Sequence, residues 1–456
     1  MIGSKAAVPR RDDAANDPKV GAAVVTPIEP RPRHTPGPIG SRDGLAYGAL
    51  GLPLAFVALP LYVVLPNHYA SAFGVPLAAL GALLLGARLL DAFADPWIGR
   101  WTDRWFTHSP RRVLIAAVLA ALFVAIGFHA LFFPAVSGTA PLLAWCGAFL
   151  AVTYLAYSVL SVIHQSWGAR LGGDAAQRTR IVAWREGLAL AGVLVASVLP
   201  SVAGLGATSA VFALALVAGL TWLSAAPRPV TAAGESVTAP HVSPWANPAF
   251  RCLIAVFVVN GIASAVPATL VLFFIRDKLA LGAYEPLFLF SYFADGALSM
   301  PLWVRAVPRV GLAKLWLAGM LLAIAAFIWA ATLSSGSLLG YLAVCVASGL
   351  ALGADLALPS AMLAGVIQRA GHNGRSEGAY FGWWNFAIKL NLAIAAGVAL
   401  PLLAAFGYSP GARDDAALSA LTLAYCLLPC ALKLLAAALL WRLWMRSPHA
   451  EPTASQ

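Results

Sequence analysis

This sequence is short of charge. Lys, Arg, Asp and Glu make up 11% of its 456 residues, where an ordinary soluble domain carries about 25%. Hydrophobic residues make up 60%, and the mean hydropathy is +0.79. That much apolar sequence cannot be hidden in one water-soluble core, so it must face lipid. Cysteine is also scarce. Cys146, Cys252, Cys345, Cys426 and Cys430 all lie in or beside apolar runs, which implies packing residues and no disulfide framework. Cys426 and Cys430 stand one helical turn apart but have no His nearby, so no metal ligand set forms. A phosphate-cradling glycine loop with its Lys is missing, so there is no sign of an ATP-driven pump. No triad or His/Cys cluster stands out, so neither an enzyme nor a cofactor is expected. Acidic residues number 19 against 30 basic ones, a net charge of +11. The basic residues are scattered through short loops rather than gathered on one soluble face. Nucleic-acid binding is therefore not expected.

What the chain does have is a succession of apolar runs long enough to cross a bilayer, at about 20 residues each. The expected spans are 44–67, 74–103, 113–134, 141–170, 179–204 and 208–226, then 249–275, 284–307, 313–334, 337–368, 376–406 and 416–444. The fold class is thus all-α integral membrane, with twelve transmembrane helices in two six-helix halves. The halves run over 44–226 and 248–445, joined by a polar linker at 227–247. Residues 1–43, polar and proline-rich, read as a disordered cytoplasmic tail or as the product of a mis-set start, and 446–456 as a second tail.

Loop charge gives the orientation. Arg104, Arg111 and Arg112 follow span 2, Arg170, Arg178 and Arg180 span 4, Arg309 and Lys314 span 8, Arg369 and Arg375 span 10, and Arg446 span 12. Loops after spans 1, 3, 5 and 9 have no Lys or Arg. Positive residues collect in the cytoplasm, so both termini are expected there. Arg276, Lys278 and Arg413 are exceptions, balanced by neighbouring Asp277, Asp414 and Asp415. An internal repeat is visible: Pro96, Arg100 and Arg104 recur at the same spacing as Pro301, Arg305 and Arg309. Two homologous halves related by an axis along the membrane normal would produce it.

Charges inside such spans cost several kcal/mol each and are functional candidates. Asp91 and Asp95 are four residues apart, and Arg88 is three before Asp91, so helical spacing stacks them on one face. Two carboxylates this close repel unless a cation intervenes. The group can hold Na⁺ or exchange a proton; the bland alternative is a structural Arg–Asp pair. Lys389, mid-way along span 11, is the expected compensating cation, or else snorkels to an interface. His164, beside Gln165, either titrates, binds substrate or packs through a hydrogen bond. Arg185 and Glu186 either pair locally or line a cavity. Asp295 and Asp355 are structural or substrate-binding. Trp383 and Trp384, followed by Asn385, stack on a sugar ring or sit at an interface.

Four ordered stretches resemble the glycoside–pentoside–hexuronide:cation symporter family of the major facilitator fold, to which the melibiose permease belongs. They are ARLLDAFADPWIGRWTDR (87–104), YSVLSVIHQSWGARLGGDAAQRTRI (157–181), RSEGAYFGWWNFAIK (375–389) and GYSPGARDDAALSAL (407–421). The resemblance implies that Asp91 and Asp95 are cation-site carboxylates, ligating Na⁺ if the coupling is to sodium. It implies that Ser158 keeps a liganding hydroxyl, that Arg88 and Lys389 are the site's charged partners, and that Tyr157 lines both pockets. The substrate contacts diverge: Pro53 and Ser161 stand where the melibiose permease has sugar-gripping carboxylates, Gln165 where it has a stacking Trp, and Ala364-Gly365-Val366 where it has an Asp. The expected function is cation-coupled symport, with Na⁺ or H⁺, of a small organic solute such as a sugar or glycoside, by a monomer in a bacterial inner membrane. Candidate substrate residues are Tyr157, Ser161, His164, Gln165, Arg185, Glu186, Trp384 and Asn385. A lysolipid or other amphiphile carrier, and a membrane sensor or assembly factor that does not transport, are the alternatives.

Overall fold

The computed structural model describes residues 3, 39–229, 243–406, 408, 411 and 414–446. Most of the expected N-terminal tail and linker, nearly all of the C-terminal tail and Arg413 lie outside the described residues. Among the described residues every regular element is helical.

The first apolar run is broken. It comprises α1 (Ser41–Gly48), α2 (Gly51–Phe56), a π-helical turn at Pro60–Val64 and α3 (Leu65–Phe73). Pro53, Pro60 and Pro66 account for the breaks, because each removes a backbone donor and crowds the preceding turn. The run ends at Gly74, whose φ of 65° favours glycine. It thus extends past the expected end at residue 67. Next come α4 (Leu77–His108), α5 (Pro110–Phe132) and α6 (Thr139–Arg170). Ser109 separates α4 from α5 by accepting the Arg111 amide at 3.0 Å, with Pro110 at the first helical position. α7 (Ala175–Ala225) starts on an Asp174 cap and contains both expected spans 5 and 6. Gly204, at φ 79° and ψ 171°, marks the break between them.

In the second half α8 (Pro248–Phe273) is capped by Asn247. It is followed by α9 (Glu285–Val310), α10 (Leu312–Ala331), α11 (Leu338–Arg369) and α12 (Glu377–Ala405). The last span is α13 (Asp415–Thr422), a π turn, and α14 (Leu428–Leu439). Nine of the helical segments among the described residues are long and apolar enough to cross a membrane. The broken first run, α4 with its charges, and α12 complete a set compatible with twelve.

Each half has its own core. One apolar cluster draws on residues from Ile39 to Ala226, whereas two others draw mainly on the second half, with Val182 from the first half buried in one of them and Ala169, Ala175 and Ala176 packed against it. The halves meet where α4 packs along α12, and α7 along α9 and α11. Glycine makes the first contact close. A Cβ on Gly99 would lie 2.1 Å from the Gly378 carbonyl, one on Gly378 2.3 Å from the Gly99 carbonyl, and one on Gly382 2.5 Å from the Asp95 carbonyl. α4 turns its apolar side outward: Phe93 and Trp97 are each 59% exposed, while Asp95 is fully buried. That inversion suits a helix between lipid and a polar interior.

Candidate functional site

The backbone approach of α4 to α12 brings Lys389 onto the carboxylates. Its Nζ lies 2.7 Å from Asp91 Oδ2 and 2.8 Å from Asp95 Oδ2. The same ammonium donates to Ser158 Oγ on α6 at 2.8 Å, and Ser158 donates to Asp91 Oδ1 at 2.6 Å. Four residues from three helices thus converge on one point. The contact to Asp95 is an ion pair more than an aligned hydrogen bond, since both Asp95 oxygens are buried without hydrogen-bond partners. The ammonium marks a position where a cation would meet two carboxylates and a hydroxyl. Hard oxygen donors of this kind suit Na⁺ or a hydronium-derived proton better than a transition metal. Among the described residues no group of three or more His, Cys, Asp or Glu side chains is arranged to hold a metal ion. Arg88 stands apart from this group in one respect: it is exposed, while Asp91 and Asp95 are buried.

Beside the charged group lies a cavity of about 140 Å³. Tyr157, Ser161, His164 and Gln165 of α6 line it with Arg185 and Glu186 of α7, and Gly51, Leu54 and Ala55 of α2 form its apolar side. Arg185 and Glu186 pair with each other, the Oε1 accepting from Nη2 at 2.6 Å and from Nε at 3.0 Å. Gln165 donates weakly to Ser161 at 3.4 Å, and its own carbonyl oxygen is buried without a partner. His164 is buried, and its Nε2 meets the Tyr47 carbonyl at 2.8 Å. A carbonyl can only accept, so Nε2 carries the proton and Nδ1 is left as an acceptor.

Trp384 and Asn385 are placed differently from these six. Trp384 is buried, and its ring face is covered by Phe257 at 3.7 Å, so no face is open to a sugar. Asn385 is buried and does not line the cavity.

Two charged clusters escaped the sequence reading. Arg170 reads in the sequence as a loop charge, yet it is fully buried between the halves. It contacts Asp103 Oδ1 and Glu377 Oε2 at 2.9 Å each, and donates to the Gly374 carbonyl at 2.6 Å. Asp103 in turn accepts the amides of Gly378 and Ala379 at the start of α12. A latch therefore ties α4 and α6 to α12 at the end of the bundle that carries Arg104, Arg111 and Arg112. The second cluster is centred on Lys433. Its Nζ contacts Asp355 at 2.8 Å, Asn260 at 3.0 Å and Ser264 at 3.1 Å, and Trp316 donates to Asp355 at 2.9 Å. Asp355 is thus committed to helix–helix pairing within the second half. The lone Lys in the apolar run 416–444 is the sequence feature that could have revealed it.

Two helical halves bridged by a buried charged group, with a polar cavity in the first half, define a membrane carrier of the major facilitator type. The chain belongs to the MFS/sugar transport protein family, whose model matches residues 44–446. It is 27% identical over 169 residues to the inner membrane symporter YicJ of Escherichia coli (strain K12), and 28% identical over 159 residues to the putative glycoside/cation symporter YagG of the same organism. These matches cover 35% and 34% of this chain, and the chain spans only 34% of the length of each relative. Its fold matches that of a bacterial homologue of the iron transporter ferroportin, solved in an outward-facing state, with a TM-score of 0.67 over 90% of this chain and all of that one. At 16% identity that likeness shows the fold alone.

Proposed function

We propose that the protein is a secondary active transporter that couples Na⁺ or H⁺ to the inward movement of a sugar or glycoside. The observation that carries this reading is the convergence of Asp91, Asp95, Ser158 and Lys389 on one point bridging the two halves. Two buried carboxylates held by one ammonium are a charge balance that a cation or proton can upset. The adjoining cavity is lined by hydroxyl, amide and ion-paired groups, which match a hydroxylated solute. The glycoside/cation and inner-membrane symporter names of the curated relatives favour the same reading.

In this scheme the coupling ion and the solute bind while the Arg170 latch is closed. Both favour the same occluded state, which is what couples them. The halves then rock, the latch parts, and both ligands leave toward the cytoplasm. Loop charge supports cytoplasmic termini, and the bacterial inner membrane is the proposed location of a monomer. Reconstitution in proteoliposomes tests the proposal. An imposed Na⁺ or H⁺ gradient is expected to drive uptake of at least one sugar or glycoside. Failure of every such solute under both gradients overturns it.

A further inference from the structure

Below the substrate cavity lies a second, much smaller cavity between the halves, of about 10 Å³, room for about one water. It is lined by Gly168, Ala169, Arg178 and Val182 of the first half and by Ser360, Ala364 and Phe381 of the second. Two residues line both cavities, Gln165 and Arg185. Their order along the chain explains why. On α6 the upper cavity takes Tyr157 and Ser161, the lower takes Gly168 and Ala169, and the latch residue Arg170 comes next. Ser161 and Gly168 lie about 10 Å apart along the helix. On α7, running the other way, Ala189 and Glu186 belong to the upper cavity and Val182 and Arg178 to the lower. Gln165 and Arg185 are the crossover points of the two helices' sequences.

We infer that Arg185, held by Glu186 and flanked by Gln165, is a septum between the substrate cavity and the release route, and that it sets which solutes pass. The inference rests on the transport reading above. Arg185 is 9% exposed at its side chain and spends two donors on Glu186 Oε1. To clear the path the guanidinium must swing, and a buried guanidinium cannot swing without a replacement acceptor. A solute that offers oxygen acceptors to Arg185 and a hydroxyl to Glu186 supplies one. The unpartnered Gln165 oxygen is a further acceptor for a solute hydroxyl. An apolar tail supplies none of these, so the septum selects hydroxylated solutes and rejects amphiphiles. Gln165 matters by size as well, because an aromatic side chain there would fill the gap beside Arg185.

A single cysteine below the septum tests this without any solute. Ala364 lines the lower cavity only. In the A364C variant, labelling of residue 364 by a membrane-impermeant methanethiosulfonate is followed by mass spectrometry, so native cysteines do not contribute. Right-side-out and inverted membrane vesicles present the two faces separately. With Arg185 intact, labelling from the face opposite the Arg170 latch is expected to be slow. Combining A364C with Arg185→Ala should speed it from that face by roughly tenfold or more, as a rarely open path becomes the resting one. Glu186→Gln, which keeps the side chain's shape, should also speed it and decides the matter if Arg185→Ala does not fold. Unchanged labelling in both variants, or faster labelling only from the latch side, overturns the septum. A failed sugar assay leaves this readout intact, so the two proposals fail separately.

Discussion

Lys389 Nζ on α12 stands 2.7 Å from Asp91 Oδ2 on α4, so a carboxylate of the first half is neutralised by a cation of the second. The charge state of one small group is thereby tied to how the halves sit. Any ligand that competes with Lys389 for Asp91 and Asp95 loosens a contact between halves, and any motion that parts the halves exposes the carboxylates.

The close crossing of α4 and α12 is expected to be intolerant of any side chain. Gly382→Ala places a Cβ 2.5 Å from the Asp95 carbonyl, about 1 Å inside ordinary contact. Overpacking of this kind costs about 1–3 kcal/mol. The melting temperature should fall, and the cation-dependent stabilisation measured by a Na⁺ or pH series should shrink with it. Unaltered cation dependence in Gly382→Ala would show that the crossing does not position Lys389.

Arg170→Ala should release the latch. It leaves Asp103 and Glu377 buried without their guanidinium, a loss on the order of 3–5 kcal/mol when one partner of a buried pair is removed. The expected result is a lower melting temperature together with faster thiol labelling, from the latch side, of the nearly isosteric Ser376→Cys at the buried position beside Glu377. Arg170→Lys, which keeps the charge but not the fork, should fall between.

Lys433→Ala should destabilise the second half without changing the coupling ion. It strands Asp355, again on the order of 3–5 kcal/mol. Adding Asp355→Asn removes the stranded charge and should restore much of the melting temperature. A change in ion preference in Lys433→Ala would instead make the cluster part of the coupling machinery.

His372 lies in the loop between α11 and α12, where burial pushes its pKa below the ordinary value. Its Nδ1 meets the Tyr380 hydroxyl at 2.9 Å. A His held neutral in the folded state binds fewer protons there than in the unfolded chain. Its contribution is therefore present above the ordinary His pKa and is lost as pH falls through that value toward the lower folded one. Melting temperatures measured across that window should flatten in His372→Asn relative to the parent.

The charge pattern made much of this legible beforehand. Asp91 and Asp95 are one turn apart in an apolar run, and only a partner can make that tolerable, so Lys389 could be sought in the sequence. The apolar runs gave the helices, and the proline-broken first run cost only its far boundary. What stayed hidden depended on crossings between helices. Arg170 reads as a loop charge because its position ends an apolar run, and only the approach of α12 reveals Asp103 and Glu377 around it. Trp384 reads as a sugar platform because aromatic stacking has no sequence direction, and only the packing of α8 puts Phe257 over its face. The roles of Gln165 and Arg185 likewise need two helices aligned before either residue is seen to divide a cavity.

The central claim is that Asp95 belongs to a cation site that drives uphill transport. Its most direct test is solute accumulation in proteoliposomes under a ~tenfold Na⁺ or H⁺ gradient, a driving force of about 1.4 kcal/mol per ion. The parent protein should concentrate its solute above the outside level. Asp95→Asn, still folded and still able to equilibrate the solute, should bring inside and outside to the same level and no further. Uphill accumulation retained in Asp95→Asn would contradict the account.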